Sequence, residues 1–251
     1  MLHQHFNQFC QHQNPVDIHQ MRVFTKKIHS FVKFHSSTFS DSRLPKIFKP
    51  VRKIFKHGGI IREAQIHLLN FEKIGLSNDK LETQLKDLIQ KETDKFKLRE
   101  KKYRKSLQIA EIDFYNQLSS TSKPQSKSFF KEFLLGSQHI LNKKRYIPHL
   151  HDSRKNLKSI IHIAELAGKD ISQKRELNLE YIVALTEKIG IWHDLHQTQL
   201  WLKGKKIDSK SKKTLQQQIE EIILQIDTLK KEFDGKIVVT HSPKQIPVQE
   251  P

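Results

Sequence analysis

The stretch Ile18–His29 reads I-H-Q-M-R-V-F-T-K-K-I-H, and Leu150–Lys158 reads L-H-D-S-R-K-N-L-K. His19, Arg22 and Lys26 of the first return as His151, Arg154 and Lys158 of the second, each 132 positions later. Further along, Gly59-Ile60-Ile61-Arg62-Glu63 returns as Gly190-Ile191-Trp192-His193-Asp194, 131 positions later. A spacing kept twice to within one residue does not come from composition, so the chain reads as two related halves. Each half then has a helix opening with His-x-x-Arg, a second helix, a glycine, and a third helix opening with a basic and then an acidic residue.

Apolar residues recur at three- and four-residue spacing with no sustained alternation, and Gly and Pro number only 8 each in 251 residues, so the fold class is all-α. The pattern predicts helices over Val16–Phe39, Pro45–Lys56, Ile60–Ile74 and Asn78–Leu118, the last long enough to bend. The second half predicts Ser128–Lys144, Pro148–Ala167, Lys174–Ile189, Ile191–Lys203 and Ser209–Phe233. Residues 1–13 read as a polar tail, 14–118 as the first repeat, 119–127 (Ser/Pro/Lys-rich) as a linker, 128–235 as the second repeat and 236–251 as a tail. Together 14–235 form one domain.

Lys and Arg number 45 against 27 Asp and Glu, a net charge of +18, far more than solubility requires. Such a surplus calls for an anionic partner: nucleic acid, anionic lipid or a phosphate polymer. With one cysteine, Cys10, there is no intramolecular disulfide, and a reducing compartment, the cytoplasm, is expected. Cys10 itself reads as incidental. No apolar run reaches the roughly 20 residues that span a bilayer, so no membrane role is expected.

His19, Arg22, Lys26, His29 and Lys33 step by three and four and share one helix face, while Val23, Phe31, Val32 and Phe34 fall largely elsewhere. His151, Arg154, Lys158 and His162 make a second such face, with Lys155 beside them. Like charges at this spacing repel by a few tenths of a kcal/mol per pair, so such a face is either solvated or neutralised by an anion. For one helix alone solvation is the ordinary reading. Two equivalent faces in a repeat favour a shared site, and phosphate suits it because Arg can contact it in bidentate fashion while Lys supplies a mobile charge. Glu63 and Asp194 read as helix caps or as partners that orient nearby cations.

At these residues the chain resembles the conserved histidine α-helical domain, or CHAD domain. That family's first repeat begins near V-H-x-x-R-V-x-x-R-R-L-R and continues to L-G-x-x-R-D-x-D-V; here these stand as Ile18–His29 and G-G-I-I-R-E-A-Q-I from Gly58 to Ile66. The second repeat resembles L-H-D-x-R-K-x-x-K at Leu150–Lys158, followed by I-G-I-W-H-D-L-H from Ile189 to His196. Lys26, Lys27 and His29 stand where the family often has arginines, and Glu63 and Gln65 replace two aspartates. The resemblance implies two pseudo-symmetric helical bundles around a basic central groove or pore that binds inorganic polyphosphate, in a protein associated with polyphosphate granules. It carries over His19, Arg22, Lys26, Lys27 and Arg62 from the first half and His151, Arg154, Lys155 and Lys158 from the second as ligand contacts, with Arg52 and Lys56 in second rank. His29, Lys33 and His162, on the same stripes, complete the expected polyphosphate-binding set.

Against an enzyme stands the lack of any G-x-x-x-x-G-K-[ST], G-x-G-x-x-G, G-x-S-x-G or H-E-x-x-H motif. No catalytic residue, metal or cofactor is expected; His193 and His196 could share a metal with Asp194 or His162, but the spacing arises easily in a chain with 15 histidines. The alternatives are a nucleic-acid binder, against which Phe24, Phe31, Phe34, Phe55 and Phe71 sit at core-like spacings, and a granule adaptor that recruits other proteins through Asp79–Leu118. Protonation of His19, His29, His151 and His162 is expected to tighten anion binding between pH 8 and pH 6.

Overall fold

Asn14 accepts a hydrogen bond from the amide of Val16 and Pro15 occupies the first helical position, which starts the helix that carries the first basic stripe. The computed structural model describes residues 1–40, 42–118, 123–166 and 177–237, the side chains of 123–127 excepted. Among them the chain is all-helical: α1 (Leu2–His12), α2 (Pro15–Thr38), α3 (Leu44–Lys73), α4 (Asp79–Leu98), α5 (Glu100–Tyr115), α6 (Lys123–Leu141), a 3-10 turn (Ile147–His149), α7 (Leu150–Leu166), α8 (Leu179–Leu202), α9 (Ser209–Lys231) and α10 (Phe233–Lys236). Side chains of Asn78, Asn178 and Asp208 cap α4, α8 and α9, each accepting from an amide in the first turn.

Several boundaries differ from expectation for identifiable reasons. The polar tail is helix α1, because Phe6, Phe9 and Cys10 form an apolar stripe that is fully or nearly buried, with Phe6 and Phe9 packed against Phe96. No break occurs at Gly58–Gly59 or at Gly190, so each expected pair of helices is one long rod, α3 or α8. Glu63 and Asp194 consequently sit mid-helix and cap nothing. Asn78–Leu118 divides at Arg99, which ends α4 and starts α5. Part of the expected linker is helical, since α6 begins at Lys123, while 119–122 lie outside the described residues. Beyond α10, Ile237 is buried and its carbonyl accepts from the Asn178 amide; the rest of the expected C-terminal tail, 238–251, and the expected helix ends within 167–176 fall outside the described residues.

The apolar core forms two clusters. One gathers Phe6, Phe9, Ile18, Met21, Phe48 and Phe96 of the first half around α1, α2 and α3. The other unites Phe34, Phe71 and Leu85 of the first half with Leu157, Ile160, Leu185, Ile189 and Ile226 of the second. Burial at roughly 25 cal/mol per Å2 drives this union, and it seats α2 on α7 and α3 on α8.

Candidate functional site

Two sets of polar contacts cross between the halves where those helices meet. Ser30 Oγ on α2 lies 2.9 Å from His162 Nδ1 and 3.4 Å from Ser159 Oγ on α7. His67 Nδ1 on α3 lies 2.9 Å from Thr198 Oγ1 on α8, and Asn70 Nδ2 donates to Thr198 Oγ1 at 2.9 Å and to the Asp194 carbonyl at 3.1 Å. All of these side chains except Asp194 are buried, so the hydrogen bonds hold the α2–α7 and α3–α8 seams in register.

Beside the seams, the two repeated arginines are held in matching ways. Arg22 Nη1 donates to the Phe55 carbonyl at 2.6 Å, with its guanidinium 4.1 Å above the Phe55 ring. Arg154 Nε donates to the Thr186 carbonyl at 3.1 Å. Each guanidinium lies against the repeated glycine one turn further along the neighbouring helix: a Cβ on Gly59 would stand 2.6 Å from Arg22 Nη1, and one on Gly190 2.9 Å from Arg154 Nη2. The glycines therefore open room for a cation against a helix backbone; they do not break the helix. Both arginines are half-buried.

Lys26 gathers cations from both halves around it. Its ammonium is pushed down to about 8, first by lost hydration and then by Arg154 and Arg22, with Lys158 adding to them and Asp194 opposing. Arg22 is lowered to about 10 by burial and by Arg62, and Glu63 opposes. Burial also lowers Arg62 and Arg154, and Asp194 pulls both back up. Lys158 is lowered by burial and Arg154. Asp194 is thus a single carboxylate shared electrostatically by Lys26, Arg62 and Arg154. Among the described residues no carboxylate comes within 4.0 Å of His19, Arg22, Lys26, Lys33, Arg52, Arg62, Arg154 or Lys158. Lys27 and Lys155 differ, paired to Glu165 at 2.8 Å and Asp152 at 2.6 Å. Lys33 is lowered by burial and then by Lys155 of the other half, and Asp152 opposes. Arg52 stands close enough to His29 to disfavour its charge.

The histidines depart from expectation. His162 is 8% exposed and bonded to Ser30, inside the α2–α7 seam and off the stripe. His29 stacks on Phe48 at 5.3 Å and His151 on His193 at 4.6 Å. Burial first, and cationic neighbours second for His29 and His151, hold all three at about 4, and His19 is lowered by burial, Arg62, Lys26 and Arg22. The expected charging is therefore displaced to lower pH in the free protein, to about 4 for His29, His151 and His162 and in the same direction for His19, because an imidazolium there would lose water and face arginine and lysine. Lys56, one of the two second-rank candidates, lines a separate depression with Lys53 and Arg99. His196 stacks on Trp192, and among the described residues no three His, Cys, Asp or Glu side chains gather as metal ligands would. Burial raises the Cys10 thiol to about 12, which removes it as a nucleophile.

With this geometry, the family model of the CHAD domain matches residues 1–203. The chain belongs to the CHAD domain family. No curated protein and no solved structure matches it. In this CHAD domain the match takes in α1, which the sequence reading set aside, and ends before α9. The residues missed from sequence are those that join the halves: Ser30, His67, Asn70 and Thr198. The signal was present, because Ser30 precedes His162 by 132 positions and His67 precedes Thr198 by 131, the spacings of the repeat itself.

Proposed function

We propose that the chain binds inorganic polyphosphate, without chemistry, in a basic groove between two pseudo-symmetric halves. The approximate two-fold is supported by Ser30–His162 and His67–Thr198: a residue in contact with its own repeat counterpart lies at the axis that relates the repeats. The observation that carries the function is Lys26, an ammonium crowded by Arg22 of its own half and by Arg154 and Lys158 of the other, with no carboxylate within 4.0 Å among the described residues. Cations that lower one another's charge are relieved by a polyanion, and each phosphate bound releases condensed counterions. CHAD domains are linked with polyphosphate in general.

The groove set is His19, Arg22, Lys26, Lys33, Arg62, Arg154 and Lys158, with Arg52 and His151 at its margins. Lys27 and Lys155 join once the ligand competes with Glu165 and Asp152. Polyphosphate is favoured over nucleic acid because the rings beside the stripe are already covered: Arg22 lies over Phe55, Lys27 over Phe24 and Lys33 over Phe133. A base stacking on these rings from that side would have to displace the cation over each. No helix among the described residues is long and apolar enough to cross a membrane. We place the protein in the cytoplasm, at polyphosphate stores.

Lys26→Glu with Lys158→Glu is the variant that tests the reading, because neither side chain donates to a backbone carbonyl as Arg22 and Arg154 do. Long-chain polyphosphate binding should collapse with helicity intact, and the log–log salt slope should fall by somewhat under one unit per lost contact. Parent-like affinity in that variant, or displacement of polyphosphate by RNA at equal phosphate concentration, would sink the assignment.

A further inference from the structure

Asp194 follows Gly190 on α8 by four residues, about one helical turn, and so shares the face against which the Arg154 guanidinium lies. Its backbone carbonyl accepts from Asn70 Nδ2 of α3 at 3.1 Å and from Thr198 Oγ1 of α8 at 3.0 Å, so its place at the seam is fixed from both halves. The carboxylate itself is half-exposed. Among the described residues its one Lys, Arg or His nitrogen within 4.0 Å is His193 Nδ1, at 3.4 Å. Glu63 follows Gly59 in the same way, yet the two acids act differently. The pull of Glu63 falls on Arg22, whereas that of Asp194 falls on His19, Lys26 and Arg62 of the first half and on Arg154 of the second.

A fixed carboxylate at that spot has two consequences of opposite sign for an anionic ligand. It offsets the repulsion among cations that crowd one another, which keeps them charged in the free protein. It also repels any phosphate that comes to those same cations, and more strongly as water leaves the groove. Asp194 makes no direct ion pair with Lys26, Arg62 or Arg154, so phosphate oxygens can approach all three more closely than it does. Once they have taken over the neutralisation, the repulsion is what remains.

We propose that Asp194 sets the affinity of the groove: it stands in for the polyanion in the free protein and, by repelling bound phosphate, holds binding weaker than the cations alone would give. The proposal rests on the groove reading.

The test compares Asp194→Asn, which removes the charge at constant size, with Asp113→Asn, which changes net charge equally on the exposed end of α5. Long-chain polyphosphate affinity at fixed salt should rise roughly tenfold in Asp194→Asn relative to Asp113→Asn. Asp194→Glu, which restores the charge, should bind as the parent does. In the free protein, NMR titration of the lysine ε-carbons should find the Lys26 ammonium, at about 8 in the parent, lower still in Asp194→Asn. Affinity equal to that of Asp113→Asn overturns the proposal, and so does a lower one, which would make Asp194 a residue that only orients the arginines. Failure of the groove reading looks different: Lys26→Glu with Lys158→Glu then binds polyphosphate as the parent does, while the Lys26 titration still responds to Asp194→Asn, and this proposal falls with that reading.

Discussion

Replacing Gly59 and Gly190 by alanine probes whether the two arginines are set in place by the helix they lie on. A Cβ on Gly59 would stand 2.6 Å from Arg22 Nη1 and 3.4 Å from its Cζ, and one on Gly190 2.9, 3.1 and 3.3 Å from Arg154 Nη2, Nε and Cζ. Ordinary contact begins at 3.4 Å, so Arg22 must withdraw by several tenths of an ångström and its 2.6 Å hydrogen bond to Phe55 is strained or lost. Losing a hydrogen bond from a charged group costs about 1.5–3 kcal/mol, and alanine in a helix interior returns about 1 kcal/mol over glycine. Net destabilisation should therefore stay within about 2 kcal/mol per site, a shift of a few degrees in Tm for a chain of this size. Affinity should suffer more than stability, because a displaced guanidinium no longer meets phosphate in its prepared orientation. The expected loss is roughly tenfold to a hundredfold per variant, the same 1.5–3 kcal/mol read in binding. Polyphosphate titration at fixed salt beside a thermal melt measures both, with Gly235→Ala as control, since a Cβ there meets nothing within 4 Å. Unchanged affinity in both Gly59→Ala and Gly190→Ala would refute the claim that these glycines prepare the site.

Three further outcomes follow from the charges. Polyphosphate affinity should fall as pH rises above 8, because the free Lys26 ammonium sits at about 8 and a bound anion raises it; calorimetry in buffers of differing ionisation heat should then show proton uptake on binding near that pH. Histidine-driven tightening should be displaced toward acid, since His151 at the groove margin lies at about 4 in the free protein and His19 is lowered as well, and an anion lifts them from there. The fold should be acid-labile: His67 and His162, 2% and 8% exposed, are held at about 4, below the unfolded 6.5, so stability is full above pH 6.5 and is lost as pH falls toward 4, by up to about 3 kcal/mol for each. A Tm that stays level from pH 7 to pH 4.5 would contradict this, and His162→Gln should flatten the fall.

The helical class and the paired stripes were legible because apolar spacing and a repeated His-x-x-Arg are written in the chain itself. Which arginines and lysines would crowd Lys26 was also foreseeable from the repeat, once the halves were supposed to face each other. What the sequence concealed was the use of glycine. Gly59 and Gly190 read as helix breaks because propensity is local, while the reason for them is a side chain more than thirty positions away. Helix α1 was hidden by the opposite effect: its Gln and His outnumber Phe6, Phe9 and Cys10, yet those three suffice to bury one face against Phe96. His162 misled because it keeps the stripe's spacing, and only the seating of α2 on α7 reveals that this last turn of the stripe faces Ser30. Asp194 was assigned to a helix start that does not exist; its weight comes from standing among cations of both halves.

The most direct test is a crystal of the chain soaked with long-chain polyphosphate, with phosphorus density traced at the contact of α2 with α7. The expected result is one phosphate chain touching Lys26 of the first half and Arg154 and Lys158 of the second within the same few phosphates. Density confined to one helix, or lying elsewhere while Lys26 and Arg154 stay in water, would contradict a shared groove.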